Sequence, residues 1–279
     1  MATWGEAVAR ATQRFTEAGL PSADVDARLL AEWVNTRRPE LAALLTEGQV
    51  SQFEDAIVRR ERHEPVQHIM GLMWFRYLEL VSRPGVFIVR PETEMVTQAG
   101  IDTLAKISEP HPVVVDLCTG SGAIAISIAT EVSRARVWAV EQDSNAYQLA
   151  RVNNARYGSH VELVEGDARS ALPELVGRVD VVITNPPYVP YSVELPADVL
   201  ADPAVALYGG GDDGLDIPRQ LVTRAYDLLK PSGVLIMEHS DEQGPALVDF
   251  AHRHGFVNGH TGCDLAGRDR WLYAEKEGM

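Results

Sequence analysis

From residue 112 onward, short apolar runs alternate with amphipathic stretches. Val113-Val114-Val115-Asp116-Leu117 has the length and β-branched content of a buried strand. A glycine-containing turn follows, and then Ala123 to Val132 reads as a helix. The alternation continues with a strand from Arg136 to Val140 that ends at Glu141, a helix over roughly 144–157, a strand at 161–165 followed by Gly166-Asp167, and a strand at 179–184. Ile217 to Leu229 is a helix stopped by Lys230-Pro231-Ser232-Gly233. Val234 to Glu238 is a strand, Gln243 to His254 a helix, and two late strands run to near Ala274. Such alternation predicts an α/β fold, a parallel sheet with helices on both faces. Ligands of these sheets sit at the carboxyl ends of the strands. The strand tips at Asp116, Glu141, Asp167 and Asn185 are therefore expected to surround one crevice.

The pattern before residue 65 is helical. Ala7, Ala11 and Phe15 recur at helical spacing, and Gly19-Leu20-Pro21 ends that run. Ser22 is placed to cap a second helix with Val25, Leu29, Leu30 and Trp33 on one face. Ser51-Gln52-Phe53-Glu54 fits a capping box, with Phe53, Ala56 and Ile57 behind it. These residues, 1–65, predict a small helical domain whose apolar positions are explained by packing. Over 66–90 the character changes. Met73 to Val81 is aromatic and β-branched, Arg83-Pro84-Gly85 is a turn signal, and Val86-Phe87-Ile88-Val89 follows. This predicts a β-hairpin linker. Arg90-Pro91-Glu92-Thr93-Glu94 then opens a helix, with proline and acids where a helix N-terminus favours them. The sheet domain spans 91–279.

Composition narrows the function. The 279 residues are 46% hydrophobic and 23% charged, which describes an ordinary globular protein. The formal charge is −15, and an acidic chain repels phosphate backbones, so direct nucleic-acid binding is not expected. Arg59-Arg60-Glu61-Arg62 reads as a solvated helix face rather than a nucleic-acid contact. The two cysteines, Cys118 and Cys263, form no metal-ligand spacing or disulfide framework, and His252 and His254 suit a helix end. No metal is expected. The first residues lack a secretory pattern, and no apolar run approaches the ~20 residues of a membrane span. The expected location is cytoplasmic, away from membranes.

Two motifs carry chemistry. The apolar run Val179 to Thr184 must stop at Pro186-Pro187. That leaves Asn185 at a strand's end, with the Asn185 amide oxygen and the Pro186 carbonyl able to point at one place beside the Tyr188 ring. Two acceptors and an aromatic wall suit a planar group bearing an NH2, and methylation of an amino or amide nitrogen is the chemistry that uses one. An Asn-Pro turn is the plain alternative. The second motif is Asp116-Leu117-Cys118-Thr119-Gly120-Ser121-Gly122. Its glycines let backbone approach a ligand at a helix N-terminus. A dinucleotide fingerprint would need glycines where Cys118 and Ala125 stand, and no lysine follows to make a P-loop. Glu141, about twenty residues on, can accept from both hydroxyls of a ribose. Asp167 or its neighbours' backbone can accept from an adenine amino group, although a Gly-Asp turn explains it too.

With both motifs in order, the chain resembles S-adenosylmethionine-dependent methyltransferases of the Rossmann-like class I type. Within them it is similar to the HemK/PrmC family, which methylates the Gln side-chain nitrogen of a Gly-Gly-Gln motif in peptide chain release factors. The resemblance extends over nearly the whole chain. It includes Gly19 to Ala27, Gly85 to Glu94, Asn185-Pro186-Pro187-Tyr188, Gly210 to Asp216, Glu238-His239 and Ala266 to Arg270. It implies that Cys118, Thr119, Gly120, Ser121 and Gly122, with Glu141, Asp167, Ala168 and Asn185, hold the cofactor. It implies that Phe87 and Tyr188 sandwich the target amide, that Asn185, Pro186 and Pro187 complete the substrate site, and that Asn185, Pro186 and Tyr188 serve catalysis. The implied partner is a release factor, gripped by the helical domain of an enzyme expected to work as a monomer. Cys118 replaces the family's first loop glycine, at little cost if its φ is negative. Val89 stands where a proline is common, and Ala168 where some members place a tryptophan. These departures bear on cofactor affinity more than on the reaction. The rival readings are methylation of a ribosomal-protein glutamine, methylation of a nucleic-acid base, and a catalytically silent module that docks a protein.

Overall fold

A computed structural model describes residues 2–278. The chain divides into two compact units. The first takes in residues up to Met73, Ser82–Pro84 and Pro196–Ala201, so it extends past residue 65. It contains α1 (Trp4–Glu17), α2 (Ala23–Asn35), α3 (Glu47–Glu61) and α4 (Val66–Met70). Thr3 and Thr46 begin α1 and α3 with complete capping boxes, which satisfy otherwise orphaned N–H groups. The α3 cap thus lies five residues before the Ser51-based box predicted from the sequence. Ser22 does precede α2, but its side chain makes no capping bond.

The apolar core of this unit joins Trp4, Phe15, Leu30, Phe53 and Ile57, with Trp4 and Phe53 edge to face at 5.6 Å. The buried face of α2 is Asp26, Ala27, Leu30, Ala31 and Val34, while Val25 is exposed. The face expected from Val25, Leu29, Leu30 and Trp33 is therefore rotated. A buried ion pair explains the rotation, since Arg60 Nε donates to Asp26 Oδ2 at 2.8 Å. Arg60 also reaches Asp198 Oδ2 at 2.7 Å, in the 196–201 segment of the same unit. Arg60 is buried and is not part of a solvated face. Losing either partner would strand a buried charge.

Next along the chain, β1 (Leu72–Phe75) and β2 (Leu78–Val81) pair as a two-stranded ribbon. Its turn is Arg76-Tyr77, with Arg76 at φ 51°. The hairpin predicted around Arg83-Pro84-Gly85 is therefore displaced, and Val86–Val89 is not a strand. The Ile88 N–H that a ladder would use goes to Asp202 Oδ1 at 3.0 Å.

The second unit holds α5 (Thr93–Lys106), β3 (Val113–Leu117), α6 (Ala123–Glu131), β4 (Arg136–Glu141), α7 (Ser144–Arg156), β5 (Val161–Glu165) and β6 (Val179–Thr184). It continues through α8 (Ala204–Leu207), α9 (Asp216–Leu228), β7 (Leu229–Glu238), α10 (Gly244–Arg253), β8 (Phe256–Cys263) and β9 (Asp269–Lys276). The seven strands lie in the order β5-β4-β3-β6-β7-β9-β8. The first five are parallel, and β9 runs antiparallel to both β7 and β8. The α/β sheet expected from the alternation is therefore present, in the class I arrangement that the resemblance implied. Lys230 to Gly233 do not precede β7. They bulge within it, where the register jumps between Val179 and Val181 of β6. The chain leaves β3 toward β4 and β5, then returns to β6 on the other side of β3. That reversal makes the crevice at the carboxyl ends of β3, β4 and β6 the place for a ligand. Among the described residues, no helix is long and apolar enough to cross a membrane.

Candidate active site

A pocket of about 1060 Å³, with the open solvent at its mouth included, lies at that crevice. Its walls include Cys118 to Ser121 after β3, Glu141 at the end of β4, Ala168 and Arg169 after β5, and Asn185 and Pro187 after β6. Phe87 and Val89 close another side. The structure thus brings together most of the residues singled out from the sequence.

The two loop glycines do different work. Gly120 has φ 59°, and a Cβ built on it would meet nothing within 4 Å, so it faces the pocket. Gly122 has φ 87°, and its Cβ would lie 2.9 Å from Ile126 Cδ1, so it lets α6 pack closely. Around them the loop is tied down. Gly120 N–H donates to Glu141 Oε2 at 2.7 Å, and Asp143 N–H to Glu141 Oε1 at 2.9 Å. Thr119 Oγ1 donates to Asp116 Oδ2 at 2.6 Å, and Asn153 Nδ2 to the Ser121 carbonyl at 3.0 Å. Glu141 is therefore a strut as well as a candidate ribose acceptor. Its oxygens still have lone pairs, since a carboxylate offers about four acceptor sites. Asp116 lies wholly beneath the loop, outside the pocket wall, and burial pushes its carboxyl up to about 7. Burial raises Glu141 as well.

Cys118 has φ 62°. The condition under which it would replace glycine cheaply is not met. A side chain in the left-handed region costs roughly 1–2 kcal/mol. The thiol is also pushed up, mainly by burial, so it is a poor nucleophile. Asp167 is turned to Arg169, which donates to it through Nε at 2.8 Å and Nη2 at 2.6 Å and lowers its carboxyl. The pocket wall at that strand tip is Ala168 and Arg169 instead.

The Asn185 side has another construction. Asn185 Nδ2 donates to Thr93 Oγ1 at 3.2 Å, and Thr93 Oγ1 donates to Glu238 Oε2 at 2.7 Å. Tyr188 Oη donates to Glu238 Oε1 at 3.2 Å. Burial of Glu238 pushes its carboxyl up to about 7, and burial also raises Tyr188. Pro186 and Pro187 are buried, while Tyr188 is half-buried. Phe87 lies under the Arg90 guanidinium, 5.1 Å from its centroid, and Arg90 pairs with the buried Asp202 that also holds Ile88.

Backbone packing supports this wall from behind. A Cβ on Gly209 would fall 1.9 Å from the Gly214 carbonyl, and one on Gly214 would fall 2.2 Å from the Tyr188 carbonyl. Only glycine fits at either position. Gln243 Nε2 bridges the Tyr188 and Asp213 carbonyls, each at 2.8 Å. The Gly210–Asp216 motif is therefore a buttress for Asn-Pro-Pro-Tyr. The sequence showed Thr93 and Glu238 inside motifs but offered no role for them. Asp202, Gln243 and Asn153 carried no signal, because each acts through partners thirty or more residues away.

Comparison with known proteins agrees with this picture. A family model described as the PrmC N-terminal domain matches residues 6–71, and one described as the methyltransferase small domain matches 77–212. The chain is 45% identical to the release factor glutamine methyltransferase of Bifidobacterium longum, over 95% of this chain and 97% of that one. It is 37% identical to the 4-amino-L-phenylalanine/4-methylamino-L-phenylalanine methyltransferase of Streptomyces pristinaespiralis, over 94% and 92%. The solved structure of a methyltransferase from Pyrococcus furiosus shares the fold, with a TM-score of 0.53 at 19% identity over 72% of this chain and 90% of that one. Its sheet, its loop and its near-full-length likeness place this chain in the release factor glutamine methyltransferase family.

Proposed function

We propose that this pocket binds S-adenosylmethionine, and that the enzyme methylates the side-chain nitrogen (N5) of the Gln in the Gly-Gly-Gln motif of peptide chain release factors in the cytoplasm. One observation carries the reading. Asn185 stands on the wall of the same pocket as Gly120 and Glu141, at the ends of neighbouring strands. A cofactor on the glycine loop and an amide at Asn185 would share one cavity. The open space over Gly120 and the acceptor capacity left on Glu141 fit the backbone approach and the ribose hydroxyls of that cofactor. The release factor comes from the name of the 45% identical relative. The unit that contains α1 to α4 is proposed to grip it.

S-adenosylmethionine supplies an electrophilic methyl group on a sulfonium. The protein must make a poor nucleophile react, because an amide nitrogen's lone pair is delocalised. No covalent intermediate is needed. Asn185 Oδ1 and the Pro186 carbonyl would accept from the two N–H groups and hold the nitrogen in line, which is catalysis by proximity. The same acceptors stabilise the positive charge that grows on nitrogen as the new bond forms. Phe87 and Tyr188 would flank the amide plane. One proton then leaves the nitrogen.

A second reading has a specific support. The Streptomyces pristinaespiralis relative is named for an arylamine substrate. An arylamine also presents NH2 on a planar carbon, so a small-molecule amine is the rival substrate. A nucleic-acid base is disfavoured by the charge of −15. The test is mass spectrometry of a release factor's Gly-Gly-Gln peptide after incubation with enzyme and cofactor. One added methyl on Gln is the expected result. Methylation of 4-aminophenylalanine with an unmodified release factor would transfer the assignment to the second reading.

A further inference from the structure

We propose that Thr93 and Glu238 are positioning residues that decide which end of the Asn185 amide faces the pocket. The inference rests on the proposed role of Asn185 as an acceptor for the substrate NH2. A primary amide has nearly the same shape either way round, so packing cannot choose between its oxygen and its nitrogen. Only the polarity of a neighbouring hydrogen bond can choose.

The neighbour is the Thr93 hydroxyl, which has a single hydrogen to donate. That hydrogen goes to Glu238 Oε2 at 2.7 Å, a short bond to a carboxylate. What remains on Thr93 Oγ1 is acceptor capacity. The Asn185 atom 3.2 Å away must then be a donor, the NH2 group. The amide oxygen is forced to the other side, and Asn185 lines the pocket. Among the described residues, no donor meets Asn185 Oδ1. With the amide reversed, its NH2 would confront the NH2 of the substrate, two donors with no acceptor between them.

Thr93 is wholly buried and Glu238 nearly so, which keeps water from substituting for either bond. Thr93 sits at the first position of α5, yet the helix makes no side-chain cap there, so capping does not account for the hydroxyl. The other Glu238 oxygen takes the Tyr188 hydroxyl. One carboxylate therefore orients both polar side chains of the Asn-Pro-Pro-Tyr segment, Asn185 through Thr93 and Tyr188 directly.

The experiment compares full-length Thr93→Ser, Thr93→Val and Thr93→Ala with the wild type. Methyl transfer to a release factor is assayed at pH 8, with S-adenosylhomocysteine affinity measured by calorimetry. Wild-type turnover is the control for the functional reading, and if the wild type does not methylate the factor, that reading fails rather than this one. The hydroxyl role predicts kcat/KM within about threefold of wild type for Thr93→Ser. It predicts a loss of about 10–100-fold for Thr93→Val and Thr93→Ala, as expected for one misdirected buried hydrogen bond. Affinity for S-adenosylhomocysteine should stay within about threefold throughout. A packing role predicts the opposite order, with the isosteric Thr93→Val near wild type and Thr93→Ser as poor as Thr93→Ala. That order, or four equal activities, would overturn the proposal. Should Thr93→Val fail to fold, Thr93→Ser against Thr93→Ala isolates the hydroxyl by itself.

Discussion

The two walls of the pocket are built in opposite ways. The loop wall is made of bare backbone, with Gly120 open to the cavity and its N–H tied to Glu141 at 2.7 Å. The Asn185 wall is made of side chains tied in series, Asn185 to Thr93 to Glu238 to Tyr188, over a glycine buttress. A wall of backbone works by leaving room, so adding atoms should break it. A wall of oriented side chains works by polarity, so removing single atoms should break it while the shape survives.

The largest effect expected from this contrast is at Gly120. Gly120→Val puts a branched side chain into the cavity, not into protein, because nothing lies within 4 Å of the built Cβ. It also forces a β-branched residue to φ near 59°. Calorimetry should show S-adenosylhomocysteine binding lost in a protein that still melts cooperatively. NAD binding tighter than S-adenosylhomocysteine in the wild type would refute the loop assignment itself.

On the other wall, Asn185→Ala should leave cofactor affinity within a few-fold and lower kcat on a release factor about 10²–10³-fold, the usual cost of losing one preorganised polar group. Tyr188→Phe keeps the ring and should be milder. Near-normal turnover by Asn185→Ala would reduce Asn-Pro-Pro-Tyr to a turn.

The contrast also explains what could be read from the sequence. The loop wall was legible because backbone chemistry is local: a strand, two glycines and a helix follow in order. Strands β3 to β6 were placed nearly to the residue for the same reason. The Asn185 wall was half legible. The motif stood out and the resemblance added Phe87, but the Thr93–Glu238 chain joins residues 145 positions apart, and nothing local marks it. The α2 face was misread because the charged Asp26 lies buried against Arg60, where an amphipathic pattern puts charge outside. The 86–89 strand was misread because a distant aspartate, Asp202, takes the Ile88 N–H. At Cys118 the sequence could not show the sign of φ.

The pH dependence should separate the two roles of Glu238. Its carboxyl is raised by burial to about 7, against Thr93 and Tyr188 hydrogen bonds and the nearby Arg270 charge, with Glu92 raising it further. The folded value lies above the unfolded one of about 4.5. Its contribution to stability is therefore full below pH 4.5 and is lost as pH rises through about 7. The loss is on the order of 3 kcal/mol. Glu238→Gln, which carries no charge at any pH, should show less of this decline in chemical denaturation between pH 5 and 8. Activity should run the other way, because the acceptor role of Glu238 needs the ionised form. Parallel declines in wild type and Glu238→Gln would remove Glu238 as the titrating group.

The smallest effect tests the loop wall at its one irregular residue. Cys118 holds φ 62°, where a Cβ is strained and glycine is not. Truncating it to Ala or to Gly removes the same sulfur and nearly the same contacts with the core. At an ordinary loop position Ala would be the more stable of the two, because Gly loses more chain entropy on folding. Here the Ala variant keeps the left-handed strain and the Gly variant relieves it. Cys118→Gly should therefore be more stable than Cys118→Ala by about 1 kcal/mol, a melting difference of roughly 2–4 °C for a unit of this size. Because the loop wall depends on backbone path rather than on this side chain, both variants should bind S-adenosylhomocysteine within a few-fold of wild type. If Ala were the more stable, the strain at Cys118 would be absent in solution, and the loop would follow a different path from the one that presents Gly120 to the pocket.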